Sequence, residues 1–182
     1  MKLLKTILLG LLGLIALVLI AAPFIQDEGG AGFLDTKLAE VEAYIEQRDE
    51  INLEVSQSNV AWHLDHILKV NNSVYGAIAD SDPAAYDKDF NLLRFLVLTT
   101  GNIPRGAGKA PESVRPPDNI RTEDMYAQLE TMKTNLVKLE ELDADSYMDH
   151  PVFGVLDKKQ VKRFMKVHTE HHLKIIRDIL GE

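Results

Sequence analysis

The 182-residue sequence predicts an all-α protein: a four-helix bundle with one additional shorter helix, preceded by an N-terminal transmembrane helix. Three patterns lead there. Thr6 to Ile25 is an uncharged, apolar run of 20 residues. Two later segments carry apolar residues at alternating steps of four and three, the spacing that lays a stripe along one helix face. No stretch of substance alternates apolar and polar residues as a half-buried strand does.

The apolar run is long enough to cross a bilayer as a helix. Lys2 and Lys5 precede it, and Asp27 and Glu28 follow it. That asymmetry predicts the N-terminus inside and the rest of the chain outside: a single-pass cell-membrane protein with an extracytoplasmic C-terminal domain, periplasmic in a Gram-negative bacterium. The rival is a cleaved signal peptide. Ala21 and Ala22 are followed at once by Pro23, and the run is longer than a typical signal core, so residues 1–25 are read as an uncleaved signal anchor whose partner is the lipid bilayer through residues 6–25. Residues 26–34 then form a short acidic, Gly-rich tether, and 35–182 the helical domain.

Within that domain the expected helices run about 35–50, 57–80, 83–100, 122–142 and 157–180. Asp82-Pro83 opens the third as cap and first-turn proline, and Gly101 closes it. The fourth carries Met125, Leu129, Met132, Leu136 and Leu139, a core stripe. The fifth begins with Asp157 and Gln160, spaced as a capping box, and ends at Gly181. Between the third and fourth helices, residues 102–121 hold four prolines with Arg105, Lys109 and Arg115. They are read as a proline-stiffened crossover, the alternative being a cationic lid over a substrate. The turn His150-Pro-Val-Phe-Gly154 is expected to dock the last helix, with Phe153 inward and His150 a hydrogen-bonding structural residue.

Chemistry enters with the stripe of the last helix: Val161, Met165, His168, His172, Ile175, Ile179. Two imidazoles one turn apart on a core-facing stripe can direct nitrogens at one cation, whereas an unpartnered buried imidazole is costly. A third ligand must come from the helix that holds His63 and His66. Periodicity puts His63 on that helix's most apolar stripe. His66 lies at its edge with Trp62, Ser73 and Ala77, where small residues leave room for water and substrate. Spacing leaves the choice between them open.

Three stretches carry a resemblance: Asn59-Val-Ala-Trp-His-Leu-Asp-His66, His150-Pro-Val-Phe-Gly-Val-Leu156 and His168-Thr-Glu-His-His172. In order and separation they resemble the DinB-like superfamily of metal-binding helical bundles, in particular its branch described as a domain of unknown function. The resemblance implies a DinB-like four-helix bundle with His66, His168 and His172 as metal ligands, and it carries over neither His150 nor His171. Where relatives often place Gln after the last ligand, this chain has Lys174 and Ile175. Superfamily relatives include metal-dependent thiol transferases, so the implied activity is that of a metal-dependent transferase or hydrolase acting on an unidentified small molecule. The alternative is a non-catalytic metal-binding or interaction bundle.

Composition narrows the ligands and partners. There is no cysteine, which excludes disulfides, thiolate ligands and a lipidated N-terminal Cys. Three imidazoles suit a divalent metal, zinc best, then nickel, iron or manganese, and leave a fourth position open. All 28 acidic residues lie beyond residue 25, against the 20 basic ones less Lys2 and Lys5, so residues 26–182 carry −10 and are expected not to bind nucleic acid. An acidic domain is repelled by anionic lipid, so membrane contact is expected through the anchor alone. Asp65, Asp149 and Glu170 read as solvated residues rather than catalytic acids.

Overall fold

The computed structural model describes residues 2–30, 32–106 and 108–182; Met1, Ala31 and Ala107, which fall in the expected anchor, tether and long connection, lie outside them. Helix α1 spans Lys2–Ile25, α2 Asp35–Ala43, α3 Val60–Ala79, α4 Leu92–Thr100, α5 Thr122–Glu141 and α6 Lys158–Leu180. Strands β1 (Tyr147–His150) and β2 (Gly154–Asp157) form an antiparallel hairpin ahead of α6. The protein is therefore mostly helical with one small sheet. Helix α3 is the axis of the bundle: α5 and α6 pack along it, α2 lies across α6 and α5, and α4 leans on α6.

The five stripe residues of α5 are all buried, as are the apolar members of the α6 stripe. Leu64, Ile67, Leu68 and Ile78 of α3 meet them in the core. Each fully buried side chain of this size contributes roughly 1.5–3 kcal/mol by leaving water.

Three expected helices differ in extent. The first stops being α-helical at Ala43 and tightens into a 3₁₀ turn, Tyr44–Gln47. The chain must turn there, because the carbonyls of Arg48 and Glu50 accept the first backbone N–H groups of α3, from Ala61 at 2.7 Å and Val60 at 3.0 Å. The Arg48 guanidinium then donates to Thr122 Oγ1 at 2.7 Å and to the Ile120 carbonyl, tying this corner to the start of α5. The second helix begins at Val60, since Asn59 caps it by accepting from Trp62 N at 3.0 Å.

The third breaks in two. Asp82 and Pro83 do open a turn, but it lasts only Pro83–Ala85 before the chain runs extended to Asn91, which caps α4. The cause is Arg94, 4% exposed. Its guanidinium donates to Asp89 Oδ1 and the Asp89 carbonyl at 2.7 Å, to the Phe153 carbonyl at 3.0 Å and to the Val155 carbonyl. Residues 86–91 are held out of helix to close that set. Gly101 closes α4 in the left-handed region, φ 65°.

The hairpin was not legible, because two strands of four residues are too short to display alternation. Its turn is held by His150, whose Nδ1 accepts from Val152 N at 3.1 Å and Phe153 N at 3.3 Å, and Phe153 packs inward at 6% exposure. Gly154 has φ +69°, and a Cβ there would meet Asp89 Oδ2 at 2.8 Å.

Candidate metal centre

Helices α3 and α6 present the histidines to each other across one seam. The capping box forms as expected, with Asp157 Oδ1 accepting from Gln160 N at 2.8 Å, and Gly181 ends α6 at φ 75°. Asn71, 0% exposed, donates to Thr169 Oγ1 at 3.0 Å and to the Ile67 carbonyl at 2.9 Å. This buried cross-link fixes the register of the two helices one residue from His168 and five from His66.

In that register His66, His168 and His172 converge: one ring nitrogen of each lies within 4.8 Å of the others. Ring centroids are 4.7 Å apart for His168 and His172, 4.8 Å for His66 and His172, and 5.2 Å for His66 and His168. Nitrogens bound to one tetrahedral ion stand about 3.4 Å apart, given metal–nitrogen bonds of 2.0–2.1 Å. Small side-chain rotations therefore bring the set to bonding distance. These are the three residues singled out from the sequence.

His63 does not join them. It stands behind His172, with its Nδ1 3.1 Å from His172 Nδ1 and its Nε2 3.0 Å from Ser56 Oγ. One arrangement of protons satisfies both contacts and leaves His172 a ligand: His172 Nδ1–H donates to His63 Nδ1, and His63 Nε2–H donates to Ser56. His66 Nδ1 donates to the Val114 carbonyl at 2.9 Å. The bonds from His172 Nδ1 and His66 Nδ1 each leave that ring's Nε2 with a free lone pair, as outer hydrogen bonds do in metal sites. His168 Nδ1, by contrast, is buried with no hydrogen-bond partner among the described residues. A buried orphan nitrogen beside two oriented imidazoles is a group that a cation would satisfy.

Burial depresses the basicity of all four rings. His168 and His172 lie well below the usual imidazole range, chiefly by desolvation and then by neighbouring imidazoles; His66 is lowered by desolvation despite its bond to Val114, and His63 is pushed down to about 4 by desolvation. All are neutral at pH 7, which metal binding requires. Trp62 stacks on His66 at 5.1 Å and meets His63 edge-on at 5.2 Å, walling the site on one side.

Two clefts are lined by chain neighbours and ring partners of the triad, though by none of its three histidines. One of about 620 Å³ is bounded by Trp62, Asn59, Arg48 and Arg115; another of about 230 Å³ is bounded by His171, Lys174, Ile103 and Arg105. The connection 102–121 contributes residues to both. Val114 is buried and supplies the carbonyl for His66, while Arg105 pairs with Asp178 at 2.5 Å. The crossover thus touches the site through Val114. Ser73 and Ala77, which suggested room at the edge of α3, are exposed and bound neither cleft.

A family described as a protein of unknown function, DUF1569, matches residues 33–178. The chain belongs to this DUF1569 family. No curated protein and no solved structure matches it. The match spans the triad, both clefts and the connection 102–121, so the convergent histidines lie wholly inside the DUF1569 domain.

Some DUF1569 site residues had no sequence signal. Val114 acts through its backbone, which any residue shares, and Ser56 lies in the irregular approach to α3. The position of His63 on the apolar stripe was the visible trace of its burial. Asp65 corrects its reading as solvated: it is 2% exposed, accepts from Gln128 Nε2 at 2.7 Å and pairs with Lys69 at 2.7 Å. Glu170 is held by Lys37 and Arg177.

Proposed function

We propose that this DUF1569 protein is a membrane-anchored, DinB-like helical bundle that holds a divalent metal on His66, His168 and His172. The observation that carries the reading is the convergence of three neutral, buried imidazoles, one with an orphan nitrogen. The chain order of the three motifs supports the DinB-like placement. An all-nitrogen donor set suits zinc best. His66, His168 and His172 would hold the cation, which would supply Lewis-acid chemistry of the kind a metal-dependent transferase or hydrolase uses. The chain's own part is to orient the ligands through His63, Ser56 and Val114 and to admit a small molecule through the clefts beside Trp62 and His171.

A second reading, a non-catalytic metal-binding bundle, draws on the nearby acids. Asp65 and Glu170 are committed to Gln128, Lys69, Lys37 and Arg177, and neither is free to act as a general base. Metal analysis of the purified full-length protein tests the common core of both readings. About one equivalent of metal is expected in wild type and none in His168→Ala; equal metal content in the two would overturn the ligand set.

The apolar span Leu4–Ala22 within α1, with Lys2 ahead of it and Lys5 at its second residue, supports an anchor with the domain outside. Protease added to intact spheroplasts should digest the domain, while domain recovered in a soluble periplasmic fraction would indicate a cleaved signal.

A further inference from the structure

Helix α4 carries an apolar face that nothing among the described residues covers. Leu92 is 60% exposed, Leu93 49% and Leu96 48%, and Phe90 just ahead of them is 72% exposed. The three leucines sit at i, i+1 and i+4 and share one side of the helix. The one charged residue of α4, Arg94, faces the opposite way and is buried among Asp89 and the hairpin carbonyls. The hairpin turn extends the patch: Asn91 donates to the Val152 carbonyl at 3.4 Å, and Val152 is 56% exposed.

What this face meets is indicated by where α1 ends. Gln26, buried just beyond α1, donates to Thr99 Oγ1 at 3.0 Å, and Thr99 lies one turn past Leu96. At 1.5 Å per residue the leucines stand within about 10 Å of that contact. The following residues leave no slack. The Glu28 carboxylate is held by Arg163 at 2.6 Å and by Lys166, Lys162 donates to the Gly29 carbonyl, and Asp27 pairs with Lys159 at 3.2 Å. The expected tether is a clamp: it docks on α4 and α6 and fixes the domain against the last turn of α1, where Ala22 is also buried.

We propose that α4, with Phe90 and Val152, is a lipid-docking face that embeds in the bilayer surface beside the anchor. This rests on the reading of α1 as a membrane span and extends it. If α1 crosses a bilayer, the clamp holds the patch at the level where the helix emerges, the depth at which amphipathic helices bury their apolar side. The absence of an exposed acid on α4 removes the repulsion that the acidic domain otherwise meets at an anionic surface. The membrane then orients the bundle and its metal site, rather than merely retaining them.

The cysteine-free sequence makes the test direct. Full-length Leu93→Cys and Leu96→Cys, each labelled with an environment-sensitive nitrobenzoxadiazole dye, are reconstituted in phosphatidylcholine–phosphatidylglycerol vesicles with or without spin-labelled lipid. Leu12→Cys reports on the anchor, and Val137→Cys, 64% exposed on α5, on the aqueous side. The proposal expects spin-labelled lipid to quench the α4 dyes by at least about twofold, as for an interfacial helix, and to leave Val137→Cys unchanged. Quenching at Leu12→Cys with none at the α4 positions overturns the docking face and leaves the anchor standing. No quenching at Leu12→Cys overturns both. Dyes on α4 that are shielded without lipid quenching, and exposed again on dilution, overturn it in favour of a second copy of the chain.

Discussion

Helix α3 faces two neighbours, and the two seams are built on different rules. Toward α5 it meets Met125, Leu129 and Met132, all 0% exposed, and its polar side chains there find partners: Asp65 with Gln128, Asn72 with the Gln128 carbonyl at 3.0 Å and with Asn135 at 3.0 Å. Toward α6 it meets a cluster of imidazoles that ends in an orphan nitrogen. Both are well buried, but on the α5 side the oxygen without a hydrogen bond, Asp65 Oδ2, is ion-paired with Lys69 at 2.7 Å, whereas His168 Nδ1 on the α6 side has no partner among the described residues. A seam whose polar side chains find partners is a structural interface, whereas convergent donors left with one nitrogen unpaired mark a place for a ligand.

Acid should separate the seams most strongly. The α6-side imidazoles are depressed by burial, so the folded protein binds fewer protons than the unfolded chain, whose histidines titrate near 6.5. Their contribution is fully present above about pH 6.5 and is lost as pH falls toward about 4, where His63 itself charges. Urea midpoints of chelator-treated protein should therefore fall steeply from pH 7 to pH 5, and a flat profile would show that the histidine seam is not desolvated.

The next largest effect is expected on the other side of α3. Leu129→Ala should cost about 2–5 kcal/mol by leaving a cavity, equally with and without chelator, and without loss of bound metal. Metal loss in that variant, measured by elemental analysis of purified protein, would mean the seams are not independent.

His168→Ala should reverse the pattern. At a free metal concentration a hundred times its dissociation constant, the site stabilises the fold by about 2.7 kcal/mol, and the variant should lose that increment while matching chelator-treated wild type more closely. Thermal melts with and without chelator read the difference.

A smaller effect sharpens the role of His63. His63→Ala removes the partner of His172 but not a ligand, so metal affinity should drop about 10–100-fold without abolition. Competition with a chromophoric chelator measures it; complete loss would promote His63 to ligand. Least of all, His171→Ala, next to a ligand but facing the smaller cleft, should leave metal content near wild type.

The sequence by itself determined the helical class, the apolar span, the caps at Gly101, Asp157 and Gly181, and the buried stripes of α5 and α6, because these follow from local periodicity and backbone chemistry. It also named His168 and His172, since residues one turn apart share a face in any α-helix. Spacing left His63 and His66 open and the resemblance pointed to His66; only the tertiary structure shows that His66 is the one that converges on His168 and His172. That choice depends on how α3 is rotated against α6, which the Asn71–Thr169 bond and the core packing set jointly. Nor could periodicity foresee the break before Asn91, the hairpin or the clamp at Glu28. Each is made by contacts between residues far apart in the chain, Arg94 with Phe153 and Val155, and Glu28 with Arg163, whose partners exist only once the bundle has closed.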